Sequence, residues 1–557
     1  MSKTVDRRPS SLASLEPEEK LRLLRILLFV ALGIRLIYAA AMELVPDESY
    51  YWLWTRHLAL GYFDHPPMIA YVIWLGTWLF GDKELGVRVV IALMSVGTIA
   101  IIIAMGKRVL RDDRAMVWVA LIWLTSPLMM GLGILATPDT PVVFFSTCAL
   151  TFVALIVDRD DQLGAGDRVV GGRGSRRAEA GSKDAARREP RPPVAAERRV
   201  GGSPVLWALF GIFSGLAMVS KYTGVLLPFA VAMMMLTTAK GRAHYRRPWV
   251  YLSGVLALAV FSPVVWWNKQ HAWVSFLFQL RHGTMDGHPS ASAPVAAAIV
   301  RFFADIGTYL GGQLVIWTPL LFVVTIVVLV YYWRRYRTIT QLDRLLLWTG
   351  TVPLVFFGLA VLASHHTEPN WPAFAYVPSS LLIGRWLAEN WSNRRIGLVR
   401  GGVQVATAFL IGMLVLAAPP VTRWVVRRPF HVPHAICDLV GWRQFGQWLG
   451  NQTTQYGNVP VVANMHQNAG QAAFYMPGQP QVWSESIGSR PDAFDYFDER
   501  PDFARIPAVF WLGGHHDLFA KKYGLETAVQ TTYYGGRPPN GRVEEGYLLV
   551  RPGNVKR

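Results

Sequence analysis

Eleven long apolar runs dominate this chain, near 23–44, 85–106, 115–133, 139–157, 204–220, 222–238, 249–267, 313–333, 343–363, 372–388 and 398–418. A helix needs roughly 20 such residues to cross the hydrocarbon core of a bilayer. Lipid offers no partner to an unpaired backbone group, so a chain built this way folds as a helical membrane bundle. Only 17% of the 557 residues are charged, against about 25% in an ordinary soluble protein. The two cysteines, Cys148 and Cys437, exclude a disulfide scaffold and offer no zinc-ligand spacing. A twelfth apolar piece, 66–80, is shorter and rich in Trp and Tyr, which predicts a helix lying in the interface. The first run follows a basic segment but is long and lacks a small-residue cleavage site before Pro46, so it reads as a retained anchor.

The formal charge of +18 invites a nucleic-acid reading, because clustered Lys and Arg neutralise phosphates. Their placement says otherwise. With residues 1–22 as a cytoplasmic tail, alternate loops hold 31 Lys and Arg against 6 on the opposite side, the asymmetry that orients membrane proteins. Nucleic acid is not needed as a partner. Residues 158–203 are rich in Gly, Ala, Arg and Pro and are expected to form a disordered cytoplasmic loop, with too little apolar surface to offset ordering entropy. The transmembrane domain is expected over 23–419. After it, 420–557 has ordinary globular composition, with short apolar runs at 459–462, 508–512 and 547–550. These predict strands of a small α/β domain outside the cytoplasm.

Ionisable residues within spans mark transport pathways, but here only Arg35, Arg88 and Arg385 interrupt the runs, each placed where it is expected to snorkel toward an interface. The external loops are chemically dense instead. They hold Asp47, Glu48, Arg56, His57, Asp64, His65, Asp139, Lys221, His365, His366 and Glu368. Convergence of several loops on one side predicts a polar site at the outer interface, under which a lipid-linked substrate can slide. Each residue also has a structural reading. Asp47 and Asp139 suit helix caps, Lys221 can snorkel, His65 and the His365–His366 pair can be structural, and Trp52, Trp54, Trp74 and Trp78 suit an interfacial belt. As chemistry, Asp47 beside a second acid near low dielectric has the makings of a general base, and Lys221 is the cation a lipid phosphate would need.

The strings PDESYYWLWTRHLALGYFDHPPMIAYVIWL, ATPDTPVVFF, SKYTG and EPNWPAFAY together resemble polyprenyl-phosphate-sugar-dependent glycosyltransferases of the GT-C fold. The bacterial groups most similar are families 39 and 83, the protein O-mannosyltransferase-like enzymes and the lipid A aminoarabinose and galacturonate transferases. The resemblance spans residues 23 to about 390. It implies an inverting transferase with Asp47 as catalytic carboxylate, Glu48 beside it and Asp139 as the second acid. It also implies a polyprenyl-phosphate-linked sugar donor, an external C-terminal domain and, with these, a bacterial inner-membrane location. The Arg-rich insert at 158–203 departs from the family pattern and faces away from the proposed site.

A polyprenyl phosphate leaves as a stable anion, so stabilisation of the phosphate matters more than a general acid. Lys221, helped by Arg56 and His65, is assigned to it. His365, His366, Glu368, Asn370 and Trp371 are assigned to the acceptor or sugar. If the acceptor is a hydroxyl of a glycan or protein, Asp47 removes its proton; if it is a lipid A phosphate, Asp47 positions groups or binds a cation. No ligand set in the sequence implies a cofactor; a divalent metal, where the chemistry uses one, would take Asp47 and Asp139. Two other classes compete: a lipid or sugar transporter, for which the spans offer no polar track, and a non-catalytic envelope assembly protein, in which Asp47 would be dispensable.

Overall fold

The computed structural model describes residues 16–178, 203–282, 295–365, 368–428, 431–487, 490–535 and 542–552. Its first part is helical throughout. The opening elements are α1 (Pro17–Ala41), α2 (Pro46–Trp54), α3 (Met68–Phe80), α4 (Glu84–Leu110), α5 (Asp113–Thr125), α6 (Pro127–Ile134) and α7 (Asp139–Ala178). Among the described residues seven helices are long and apolar enough to cross a membrane, and α5 with α6 forms a further span bent by 54°. Ser126 supplies the bend: it ends α5, and Pro127 opens α6 with a fixed φ at the first helical position. The runs at 204–220, 222–238 and 313–333 correspond to shorter apolar helices, Pro204–Ser220, Tyr222–Leu236 and Pro319–Arg334. This is a multi-pass membrane protein.

Three expectations change. The run 313–333 is not one element: the chain breaks at Thr318, whose φ is 65°, and Pro319 starts a new helix. The preceding helix, Val295–Ile316, is tied to Gln341–Ser364 and the loop after it, Tyr309 donating to the Leu354 carbonyl and Gln313 to the Pro369 carbonyl. The segment from 158 opens as a continuation of α7 and not as a loop. Asp158 pairs with Arg111 at 2.8 Å, Asp160 with His244 at 2.8 Å, and Asp161 accepts from the Leu342 backbone, so the carboxylates tie the helix down. The remainder of that expected loop, 179–202, lies outside the described residues.

The third change concerns the arginines. Arg35 and Arg88 do not snorkel; both are fully buried. Arg35 donates to the Ala31 and Met129 carbonyls and to Ser95. Arg88 grips Glu48, with Nε 2.7 Å from Oε1, and donates to the Met42 and Glu43 carbonyls. Arg385 pairs with Asp343 and bonds the Val109 carbonyl. A guanidinium with five donors can be satisfied inside the bundle, provided carboxylates and helix-end carbonyls surround it.

Small residues set the helix spacing elsewhere. A Cβ on Gly211 would sit 2.3 Å from the Ser253 carbonyl oxygen, and one on Gly215 2.7 Å from that of Ala257. Glycines one turn apart thus let Pro204–Ser220 press directly on Pro248–Gln270, the close approach that membrane helices use when burial from water cannot drive packing.

The C-terminal part carries a five-stranded sheet in the order β2-β1-β3-β5-β4, from β1 (Val461–Ala463), β2 (Trp483–Ser484), β3 (Ala508–Leu512), β4 (Glu526–Gly535) and β5 (Arg542–Val550). β2, β1 and β3 run parallel, and β5 is antiparallel to both β3 and β4. The three apolar runs singled out in the sequence supply β1, β3 and the end of β5.

This part does not hang free. One hydrophobic core unites Tyr50, Trp52 and Trp54 of α2 with Phe474, Phe494 and Trp511. Trp52 and Trp54 are therefore core and not interfacial belt: Trp52 meets the Phe474 ring edge-on at 4.9 Å and Trp54 stacks on Tyr62 at 4.1 Å. Trp74 and Trp78 on α3 are the outward pair, 44% and 70% exposed. Polar bonds seal the junction. Glu43 accepts from the Trp442 backbone at 2.6 Å, Tyr475 receives the Leu44 N–H at 2.7 Å, and Arg490 holds Asp64 at 2.7 Å. Burial pushes the Asp64 carboxyl up, but Arg490, His466 and the Tyr50 hydroxyl outweigh it and hold it below the usual range.

Glu48→Gln is expected to leave Arg88 buried without its counter-charge and to destabilise the fold by about 3–5 kcal/mol, read as a lowered Tm of the detergent-purified protein. Asp64, lowered in the folded state, stabilises the docked domain fully above about pH 4 and loses that contribution as pH falls further. Proteolysis of the 418–442 connection should accelerate there, and Arg490→Met should remove most of that pH dependence.

Candidate active site

α2 begins where Pro46 fixes the first helical residue, with Asp47 and Glu48 in the first turn next to the positive end of the helix. Successive helical residues point about 100° apart, and the two acids go separate ways. Glu48 turns inward to Arg88 and also accepts from the backbone N–H groups of Val45 at 3.0 Å and Ala136 at 2.8 Å. It is a tether, joining α2 to α4 and to the loop that leads to Asp139. Asp47 opens onto a cavity of about 1230 Å³ lying between the helical bundle and the C-terminal domain. Glu368 lines the same cavity, as do Arg423 and Arg427 after the last span and Asn464, Gln467 and Gly513 of the C-terminal domain. Val45 is the residue at the N-cap, so capping does not account for Asp47. Burial against protein on its inner sides pushes its carboxyl up; His466 and a hydrogen bond from Gln467 pull the other way, while Asp64 and Glu48 add to the rise.

Asp139 opens α7 after the Thr137–Pro138 turn and does not cap it through its side chain. Its Oδ1 accepts from Lys221 Nζ at 2.7 Å and its Oδ2 from Asn370 at 2.8 Å. Lys221 follows the Pro204–Ser220 helix in extended backbone and lies 5.9 Å over the Trp371 ring. Three loops far apart in sequence, ATPDTP, SKYTG and EPNWP, thus meet in one mostly buried cluster. His65 belongs beside it. Burial, then the neighbouring Lys221 charge, pushes its imidazole down to about 4, so it is neutral near pH 7, and its Nδ1 has no hydrogen-bond partner. The Tyr51 ring is 6.0 Å from His65. Burial first, then Asp47, Asp64 and Asp139, push the Tyr51 hydroxyl well up. Tyr51 is therefore flanked by both acids.

Other expected residues go elsewhere. Arg56 stacks on Trp52 at 4.3 Å and donates to the Gln479 carbonyl at 2.9 Å, which ties it to the domain junction. His365 caps the Gln341–Ser364 helix with φ 57° and pairs with Asp305 at 2.6 Å. His366 lies outside the described residues. For a metal, both Asp139 oxygens are already engaged by Lys221 and Asn370. No group of three or more His, Cys, Asp or Glu side chains among the described residues gathers to hold one.

Sequence reasoning did not single out Tyr51, Arg490, His466 or Gln467. Tyr51 was legible as part of the loop-one motif, but the other three come from a domain whose docking no local pattern announces.

Comparison with known proteins bears on this arrangement. Residues 64–166 and 198–267 match the family model described as dolichyl-phosphate-mannose-protein mannosyltransferase. The chain is 23% identical over 387 residues to the lipid A galacturonosyltransferase RgtD of Rhizobium johnstonii, covering 68% of each chain. It is 23% identical over 427 residues to the undecaprenyl phosphate-alpha-4-amino-4-deoxy-L-arabinose arabinosyl transferase 1 of Pseudomonas fluorescens, covering 72% of this chain and 64% of that one. Its fold is similar to ArnT from Cupriavidus metallidurans, with a TM-score of 0.56 to the apo crystal structure at 15% identity over 95% of this chain and 98% of that one. Against the structure bound to undecaprenyl phosphate the TM-score is 0.54, at 16% identity over 94% of this chain and 98% of that one. With the motif loops folded into one cluster beside the sheet domain, the chain shares the fold of ArnT and is similar in sequence to glycosyltransferases that carry sugars onto lipid A or take them from undecaprenyl phosphate.

Proposed function

We propose that this protein transfers a sugar from undecaprenyl phosphate to a hydroxyl of the lipid A saccharide, at the periplasmic face of the bacterial inner membrane, with its N-terminus cytoplasmic. The donor and acceptor classes are supported by the relatives, whose names specify undecaprenyl phosphate and lipid A. The orientation is supported by the Lys and Arg asymmetry of the loops. The observation that carries the reading is the position of Asp47: a carboxylate of raised pKa on the wall of a cavity large enough for a saccharide headgroup, beside a separate lysine-centred cluster.

The division of labour follows. Asp47 takes the proton of the acceptor hydroxyl as its oxygen bonds to the anomeric carbon from the face opposite the phosphate. The bond from that carbon to the phosphate oxygen breaks, and its electron pair leaves with undecaprenyl phosphate, which inverts the configuration. Lys221, held by Asp139, whose other oxygen Asn370 fixes, offers its remaining N–H bonds to the departing phosphate, and neutral His65 can donate one more. Asp139 fixes the ammonium in place. Because the base must be ionised, turnover should fall as pH drops through the raised Asp47 value, a limb displaced upward from the usual carboxylate value of about 4.

The test follows release of undecaprenyl phosphate, and labelling of lipid A, by the purified protein in lipid vesicles given undecaprenyl-phosphate-linked sugars. Asp47→Asn is expected to lower turnover by about 10²–10⁴-fold while donor binding persists. Lys221→Met is expected to weaken the donor and slow transfer together. Equal release by Asp47→Asn and the unchanged protein would overturn the assignment.

A further inference from the structure

The proposed base is not surrounded by the membrane bundle alone. The helix His466–Tyr475 of the C-terminal domain lies directly on α2. A Cβ on Gly470 would come within 2.7 Å of the Tyr50 backbone nitrogen and 2.8 Å of the Ser49 carbonyl carbon, so only glycine allows the two backbones this close. Gln471 then donates to the Leu44 carbonyl at 2.8 Å, fixing the helix against the chain that enters α2. Three to four residues before the glycine, one helical turn, come His466 and Gln467; three residues before Tyr50 comes Asp47. The same close approach therefore brings all three to one place.

His466 is held from a second side. The His466 ring packs on Tyr50 with centroids 4.3 Å apart, and its Nδ1 lies 3.6 Å from Asp492. Asp492 is itself fixed by Ser484 at 2.8 Å and by the Phe494 backbone at 2.9 Å. Tyr50 is fixed by Asp64 at 2.6 Å and the Ala493 backbone at 2.8 Å. Gln467 lines the same cavity as Asp47. The charged groups facing His466 are Asp492 of its own domain and Asp47 and Asp64 of the first loop.

We infer that the C-terminal domain supplies two positioning residues to the transfer centre: Gln467, which holds the Asp47 carboxylate toward the cavity, and His466, clamped between Tyr50 and Asp492, which presents its imidazole to the same acid. The domain is thereby half of the active site and more than a lid or a tether. A carboxylate free to swing loses much of the advantage of a fixed base, since misplacement by about 1 Å can cost 10²-fold. The inference rests on Asp47 as base, and the experiment separates the two.

The full-length protein in lipid vesicles is compared with His466→Phe, Gln467→Met and Asp47→Asn, using whichever undecaprenyl-phosphate-linked sugar supports turnover of the unchanged chain. Phenylalanine keeps the ring against Tyr50 and methionine keeps the length of glutamine, so packing survives while the nitrogen or amide is lost. Each is expected to lower kcat by on the order of 10²-fold, with the donor KM within about twofold and Tm close to that of the unchanged protein. If both turn over normally while Asp47→Asn is inactive, the inference falls and the base assignment stands. If Asp47→Asn is active, the base assignment falls and takes this one with it. Should one variant fail to fold, the other decides.

Discussion

A single buried ion pair organises the end of this protein that carries Asp47 and Asp139. Glu48 and Arg88 are both fully enclosed, and neither would be tolerated there alone, because an unpaired charge in a low-dielectric interior costs several kcal/mol. Their hydrogen bonds radiate to the Val45 and Ala136 amides and to the Met42 and Glu43 carbonyls. The pair thus gathers the end of α1, the start of α2, α4 and the turn before α7 around one point. Asp47 is adjacent in sequence to Glu48, and Asp139 follows Ala136 by three residues. Their spacing is set by this tether, even though neither touches it.

The next layer is the junction with the C-terminal domain. The aromatic residues of the first loop serve there as core: Trp52 and Trp54 are sealed by Phe474 and Tyr62, and Arg56 is spent on the Gln479 carbonyl. Apolar contact and directional bonds do different work at this seam. Burial of rings supplies most of the adhesion, whereas Arg490 on Asp64 and Glu43 on the Trp442 amide fix the register. The cavity next to Asp47 exists because the two parts meet around it and not across it. Its walls come from both.

Two electrostatic environments then sit side by side. Around Asp47 protein bulk raises a carboxyl that still opens to a cavity, the condition for a base. Around Asp139 a lysine and an amide occupy both oxygens, the condition for a fixed anion that steadies a cation. The proposed division, proton transfer at Asp47 and phosphate stabilisation by the Lys221 partner of Asp139, rests on these surroundings.

The apolar runs of the sequence determined that the chain spans a membrane, because lipid admits only helices whose backbone bonds are internal. The alternating charge of the loops is the basis of the proposed orientation, and the residue types of four loops pointed to a set of eleven polar residues, Asp47, Asp139 and Lys221 among them, without saying which of these meet. Local patterns also marked β1, β3 and β5. What only the tertiary structure decided were pairings between distant segments: Glu48 with Arg88, Asp64 with Arg490, Asp139 with Lys221 and Asn370. It also decided that Arg35 and Arg88 are satisfied internally, that α7 continues past 158 on tethered carboxylates, and that His466 and Gln467 stand beside Asp47. Side-chain chemistry and periodicity are local properties and can be read along the chain, but which buried charge finds which partner depends on how helices and sheet close in space.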